Sequence, residues 1–121
     1  MDKKLLIVED DGLLIQALES TFKKEGYNVL TAKDGEIGLK KALSEHPDLI
    51  LLDIIMPVMD GITALKALRK DSWGKTAKVL MLTNIDYPTD LEPYNYGVLG
   101  FLIKSKTSLE QVVSAVSKII S

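Results

Sequence analysis

Cysteine is absent from the 121 residues, so neither a disulfide framework nor a thiolate metal site is available, which fits a reducing compartment. Long hydrophobic runs are absent as well. The opening stretch MDKKLLIVEDD is too short, and too soon followed by acids, to be a signal peptide or a membrane span. There is no excess of positive charge: the net charge is −2, without the basic footprint of a nucleic-acid binder. Repeats, low-complexity tracts and linkers are also missing. These absences predict a cytoplasmic protein with no membrane association and no direct nucleic-acid contact. The length fits one domain spanning residues 1–121, which buries roughly two-thirds of the unfolded chain's surface.

What is present is an alternation of two periodicities. Short β-branched or leucine-rich runs occur at residues 4–8, 28–32, 48–52, 77–82 and 100–103, with helical patterns between them. The first pattern places Leu14, Ala17, Leu18, Thr21 and Phe22 on one face and stops at Gly26. The second starts after Asp34, carries Leu39, Ala42 and Leu43, and ends at His46-Pro47, where an exposed capping role suits His46. The third follows Asp60, read as its N-cap, with Ile62, Leu65 and Leu68 inward. The last opens with Thr107 and Glu110 at capping-box spacing and buries Leu109, Val112, Val113, Val116 and Ile120. Five strand-then-helix units predict a parallel sheet with right-handed crossovers and helices on both faces. Between Pro88 and Gly97 the pattern is least helical. A short or irregular fourth helix is expected there, with at least one of Tyr87, Tyr94 and Tyr96 partly exposed.

Asp53 interrupts an otherwise apolar stretch, DLILLDIIMPVMDG. In open α/β sheets the crevice beyond the carboxyl ends of the strands is the place for such a residue. Glu9, Asp10 and Asp11 end the first run, Thr83 the fourth and Lys104 the fifth. If the sheet order brings these ends together, several carboxylates, a hydroxyl and an ammonium share one space. Carboxylates so close repel one another, and a divalent cation relieves the repulsion. Oxygen donors without His or Cys select a hard ion, and a sparse set with room for water suits Mg²⁺ better than Ca²⁺.

Glu9-Asp10, the stretch from Asp53 to Gly61, Thr83 and Lys104, in this order and spacing, resemble the receiver domain of two-component response regulators, in its stand-alone, chemotaxis-regulator-like form. The resemblance covers essentially the whole chain as a single receiver domain. It implies a flavodoxin-like (βα)5 doubly wound α/β fold: a five-stranded parallel sheet of order 2-1-3-4-5 with five helices.

The resemblance also implies a chemistry. Asp53 is then the phosphoacceptor, taking a phosphoryl group from a sensor histidine kinase or phosphotransfer protein in a phosphorelay. Mg²⁺ would be held by Asp10, Asp53 and the backbone carbonyl of Ile55, with Glu9 acting largely through water. Lys104 and Thr83 would contact the phosphoryl oxygens, and Thr83 with Phe101 would form the switch. The protein would be no enzyme beyond its own phosphorylation and dephosphorylation. It would signal to a downstream partner through the surface of the fourth helix, fifth strand and fifth helix.

Rival readings have identifiable defects. A haloacid-dehalogenase-like phosphohydrolase would resemble D-x-D, but Ile55 fills the second acidic position. A flavodoxin-like electron carrier needs a Ser/Thr/Gly-rich phosphate loop after the first strand, where EDDGLL repels phosphate. A receiver-fold scaffold that is never phosphorylated is the remaining alternative. Two departures from the family pattern stand out: Lys104 is followed by Ser105 instead of proline, for which a trans bond is expected, and Asn84 follows Thr83 where Ala or Gly is common.

Overall fold

In the computed structural model, which describes residues 2–84 and 95–120, five strands form one parallel sheet in the order β2-β1-β3-β4-β5. The strands are β1 (Lys4–Val8), β2 (Asn28–Ala32), β3 (Leu49–Leu52), β4 (Val79–Thr83) and β5 (Phe101–Ile103). Four described α-helices accompany them: α1 (Gly12–Lys24), α2 (Gly35–Glu45), α3 (Gly61–Lys70) and the last helix, α4 (Leu109–Ile120). The expected sheet order and every expected strand are present, shorter by one residue at β3 and β5 and shifted two residues later at the start of β4. The irregular helix expected between Pro88 and Gly97 falls mostly on residues 85–94, with Tyr87 and Tyr94, outside the described residues. Tyr96 is partly exposed, with the Lys66 ammonium 5.7 Å from its ring centroid.

The strands carry continuous apolar runs because both faces of the sheet are covered. Side chains alternate across it with period two, so each strand feeds two cores. Leu6, Val8, Ile50, Leu52, Val79 and Met81 point to the face covered by α2 and α3, against Ala42, Leu65 and Leu68. Leu5, Ile7, Leu49, Leu51, Leu80 and Leu82 point to the other, against Leu18 and Phe22 of α1 and Val112, Val116 and Ile120 of α4. Each leucine removed from water contributes about 2 kcal/mol, so these two layers are the main source of stability.

Helix starts are set by side chains that satisfy otherwise orphaned N–H groups. Asp60 accepts from Thr63 N (2.8 Å), as read from the sequence, and Asp34 accepts from Ile37 N (2.9 Å). Asp11 caps α1 through Leu13 N (3.0 Å) and Leu14 N (3.3 Å). The capping box of α4 is displaced by one residue from the expected Thr107–Glu110 pair. Gln111 N donates to Ser108 Oγ (3.1 Å) and Ser108 N to Gln111 Oε1 (2.8 Å). Val112, Val116 and Ile120 are buried as expected, but Leu109, the first residue of α4, is 38% exposed, contrary to its expected burial; Leu43 of α2 is likewise exposed. His46 is the exposed C-cap of α2 in left-handed conformation (φ 48°), its ring stacked on Trp73 at 4.3 Å. No cis peptide bond occurs among the described residues, and Lys104-Ser105 is trans.

Candidate functional site

The sheet register brings the chemically capable residues together. Val8 pairs with Leu52, so the residues that follow, Glu9 and Asp53, leave adjacent strand ends, and Asp53 N donates to Val8 O at 3.0 Å. Thr83 pairs with Ile103, which sets Lys104 one residue beyond it, at the start of a short 3-10 turn over Lys104–Lys106. A crevice of about 250 Å³ opens here, lined by Glu9, Asp10, Asp11, Asp53, Ile55, Thr83, Asn84 and Lys104.

Burial is concentrated in three of these side chains. Asp53 is 5% exposed, Glu9 2% and Thr83 fully buried, whereas Asp10 is exposed. The Lys104 ammonium donates to Asp53 Oδ2 at 2.9 Å and is also ion-paired with Glu9 Oε1. The remaining carboxylate oxygens are held by backbone: Ile54 N donates to Asp53 Oδ1 (2.7 Å) and Asp11 N to Glu9 Oε2 (2.9 Å). Both anions are thus fixed in orientation before any ligand arrives.

The same geometry perturbs ionisation. Burial raises the pKa of Glu9, with the nearby Asp53 charge adding to it, against the lowering effect of its hydrogen bonds with Lys104 and the Asp11 amide. For Lys104 burial acts downward, but the hydrogen bonds and charges of Glu9 and Asp53 outweigh it, and its pKa is raised. The ammonium therefore stays protonated across the physiological range.

Glu9, Asp10 and Asp53 each offer a carboxylate oxygen, all within 4.8 Å of one another. This donor set, oxygen-only and with one exposed member, fits a hard divalent cation that retains water. Ile55 is 67% exposed at the crevice edge. Phe101 lies on β5 opposite Met81, half-buried against the core of the α2 and α3 face. Of the candidate site residues, Glu9, Asp10, Asp53, Ile55, Thr83 and Lys104 line the crevice and Phe101 does not.

The Asp53–Gly61 loop shows features the sequence reading missed. Gly61 N donates to Ile54 O (2.8 Å), and a Cβ at Gly61 would lie 2.9 Å from the Asp53 carbonyl carbon and closer still to its oxygen. Between the loop's ends Val58 takes φ 68°, with Met59 N donating to Pro57 O at 2.8 Å, a classical γ-turn. A β-branched residue there costs about 1–3 kcal/mol and persists only because the surroundings hold it. An aspartate cap followed by glycine recurs at 11–12, 34–35 and 60–61, but only the last two glycines are pressed against the loop's backbone, so the pair alone does not announce the contact. Nothing in periodicity announces the γ-turn.

Comparison with known proteins agrees with this geometry. The family model described as "Response regulator receiver domain" matches residues 5–117. The chain is 43% identical over 90 residues to the alkaline phosphatase synthesis transcriptional regulatory protein PhoP of Bacillus subtilis, covering 74% of this chain and 37% of that protein. It thus spans little more than a third of that regulator. Among solved structures, the chemotaxis response regulator CheY4 of Vibrio cholerae superposes with a TM-score of 0.91 at 33% identity, covering 99% of this chain and all of that one. The CheX-CheY-BeF3-Mg²⁺ complex from Borrelia burgdorferi contains a similar chain, with a TM-score of 0.87 and 29% identity over 98% of this chain and 90% of that one.

Proposed function

Because the chain belongs to the response regulator receiver domain family of two-component systems, we propose that Asp53 accepts a phosphoryl group from a phosphohistidine on a sensor kinase or phosphotransfer protein. The observation that carries this reading is a 5%-exposed carboxylate at the carboxyl end of β3, held by one ammonium at 2.9 Å and flanked by two further carboxylates within 4.8 Å.

The step is a displacement at phosphorus. A carboxylate oxygen of Asp53 forms the new P–O bond, the P–N bond of the phosphoimidazole breaks, and the imidazole leaves. Such transfers depend on alignment and on neutralising the equatorial oxygens. The chain supplies alignment through the Ile54 amide and the Lys104 ammonium, which fix the two Asp53 oxygens separately. Lys104 supplies positive charge. The Thr83 hydroxyl, at the end of β4 and on the crevice wall, would donate to a phosphoryl oxygen. Asp10, Asp53 and the Ile55 carbonyl would hold Mg²⁺, with Glu9 beside them; when bound, the ion neutralises the carboxylates and the developing phosphoryl charge. That the Borrelia relative's complex includes Mg²⁺ supports the choice of ion.

Inward movement of Thr83, with Phe101 following, would convert the modification into a change of partner binding. The output surface would involve β5, α4 and the segment between β4 and β5, and the protein would act as a switch, not as a catalyst of an external reaction. Incubation with acetyl phosphate and Mg²⁺ followed by intact-mass measurement is expected to show one added phosphoryl group, lost in Asp53→Asn because an amide is a poor nucleophile. Absence of labelling in the wild type would favour the unphosphorylated scaffold.

A further inference from the structure

We propose that Gly35, at the start of α2 and outside the crevice lining, is a positioning residue for the phosphoacceptor loop. Helix starts leave N–H groups without partners inside the helix. At α2 one of them, Ile37 N, is taken by the Asp34 side chain. Gly35 N is instead spent on a different element: it donates to Met59 O at 2.9 Å, on the return limb of the Asp53–Gly61 loop. The approach is so close that only hydrogen fits. A Cβ at Gly35 would stand 3.0 Å from Asp60 O and 3.1 Å from the Met59 carbonyl carbon, and nearer still to Met59 O. Those are backbone atoms, which cannot rotate away as a flexible side chain would.

The loop is thus gripped twice. Gly61 N on Ile54 O closes its base, and Gly35 N on Met59 O holds its far limb. Between the two grips Val58 remains at φ 68° although its side chain is 78% exposed and gains little from packing. Strain that local packing does not compensate is retained by the clamps. Release of the outer clamp lets Val58 relax, and the displacement passes along the few intervening residues to Ile55 and Asp53. Gly35 therefore sets the position of the acceptor carboxylate and the Ile55 carbonyl without touching either.

This inference rests on reading Asp53 as the phosphoacceptor, and the test separates the two. Gly35→Ala, Val58→Gly and the double variant are compared by amide ¹⁵N spectra, Mg²⁺ calorimetry and acetyl phosphate labelling, each corrected for the folded fraction. Gly35→Ala is expected to shift the Ile54, Ile55 and Met59 amides and to lower Mg²⁺ affinity and labelling rate about tenfold. Val58→Gly in the same chain lets residue 58 absorb the displacement, so the double variant is expected to recover most of the loss and to fold even if Gly35→Ala does not. Wild-type Ile54 and Ile55 amides and wild-type labelling in folded Gly35→Ala would overturn the proposal. So would a double variant no better than Gly35→Ala. If the wild type itself is never labelled, the phosphoacceptor reading falls, while the amide shifts and Mg²⁺ affinities still decide the role of Gly35.

Discussion

Lys104 Nζ lies 2.9 Å from Asp53 Oδ2 and simultaneously against Glu9, so one ammonium from the end of β5 bridges carboxylates from the ends of β3 and β1. The bridge crosses β4, which separates β3 from β5 in the sheet. It places a positive charge where a cation or phosphoryl group would compete for the same oxygens. Lys104→Ala is expected to leave two buried carboxylates uncompensated and to destabilise the metal-free protein by about 2 kcal/mol. Mg²⁺ should restore most of that stability, and its affinity should not fall, because a competitor for Asp53 Oδ2 has gone. Acetyl phosphate labelling should drop at least tenfold. Weaker Mg²⁺ binding in the variant would contradict the competition.

Glu9 gives a prediction with a definite sign in pH. Its folded pKa is raised, chiefly by burial, so the native state binds its proton more tightly than the unfolded chain does. The stability linked to that proton is present below the unfolded value and lost as pH rises through the folded one. At pH 7 without divalent cation, Glu9→Gln is therefore expected to melt above the wild type, the gap closing as pH falls below the raised value. Saturating Mg²⁺ should reverse the order, since only the wild type keeps the carboxylate and gains fully from ligand linkage. Melting curves at several pH values, with Mg²⁺ or with EDTA, test both arms.

Lys104 adds stability at the alkaline end. Its folded pKa is raised by Glu9 and Asp53 despite burial, so its contribution is complete below the unfolded value near 10.5 and fades as pH climbs through the folded one. Wild-type stability is expected to fall more steeply above pH 10 than that of Lys104→Met, as measured by urea unfolding.

The sheet was legible because its strands are apolar runs with no competing reading, and because an acid at the end of such a run belongs in the crevice of an open sheet. Glu9, Asp10, Asp53, Thr83 and Lys104 could be grouped for that reason, once the order of strands was supplied by resemblance. What escaped was of another kind. Whether Ser108 or Thr107 caps α4 turns on a rotation of one residue, and Ser and Thr are comparable caps, so composition cannot choose. The Lys104 bridge to Glu9 depends on side-chain reach, and the clamps by Gly35 and Gly61 on backbone approach. Neither leaves a periodic trace, and the repeated Asp-Gly pair does not single out the second, since Gly12 follows the Asp11 cap with open space around it.

The capping assignment is directly testable. Ser108 satisfies Gln111 N, and Gln111 reaches back to Ser108 N, so both donors lose their partner if the box is broken. Ser108→Ala is expected to cost about 1 kcal/mol. Thr107→Ala should stay within about 0.5 kcal/mol, as for most substitutions away from such features. A larger loss in Thr107→Ala than in Ser108→Ala on thermal unfolding would return the cap to Thr107.

Gly61 couples stability to the placement of Asp53. It follows the Asp60 cap, begins α3, and backs directly onto the Asp53 carbonyl, where an added Cβ would meet the carbonyl carbon at 2.9 Å and its oxygen closer still. One of the two has to move. Asp53 is pinned on its other side by its N–H on Val8 O in the sheet, so the displacement falls on the loop, on the Ile54 carbonyl that accepts from Gly61 N, or on α3 itself. Gly61→Ala is therefore expected to destabilise by about 3 kcal/mol, at the upper end for overpacking because the obstacle is backbone. It should also lower acetyl phosphate labelling of the folded fraction more than tenfold, as a misplacement of the reacting carboxylate would. Gly12→Ala provides the contrast: nothing lies within 4 Å of a Cβ there, although Gly12 starts α1 as Gly61 starts α3. It should gain a few tenths of a kcal/mol in urea unfolding, through reduced freedom of the unfolded chain, and leave labelling unchanged. If Gly61→Ala were as harmless as Gly12→Ala, close backing of Asp53 by α3 would have no energetic weight.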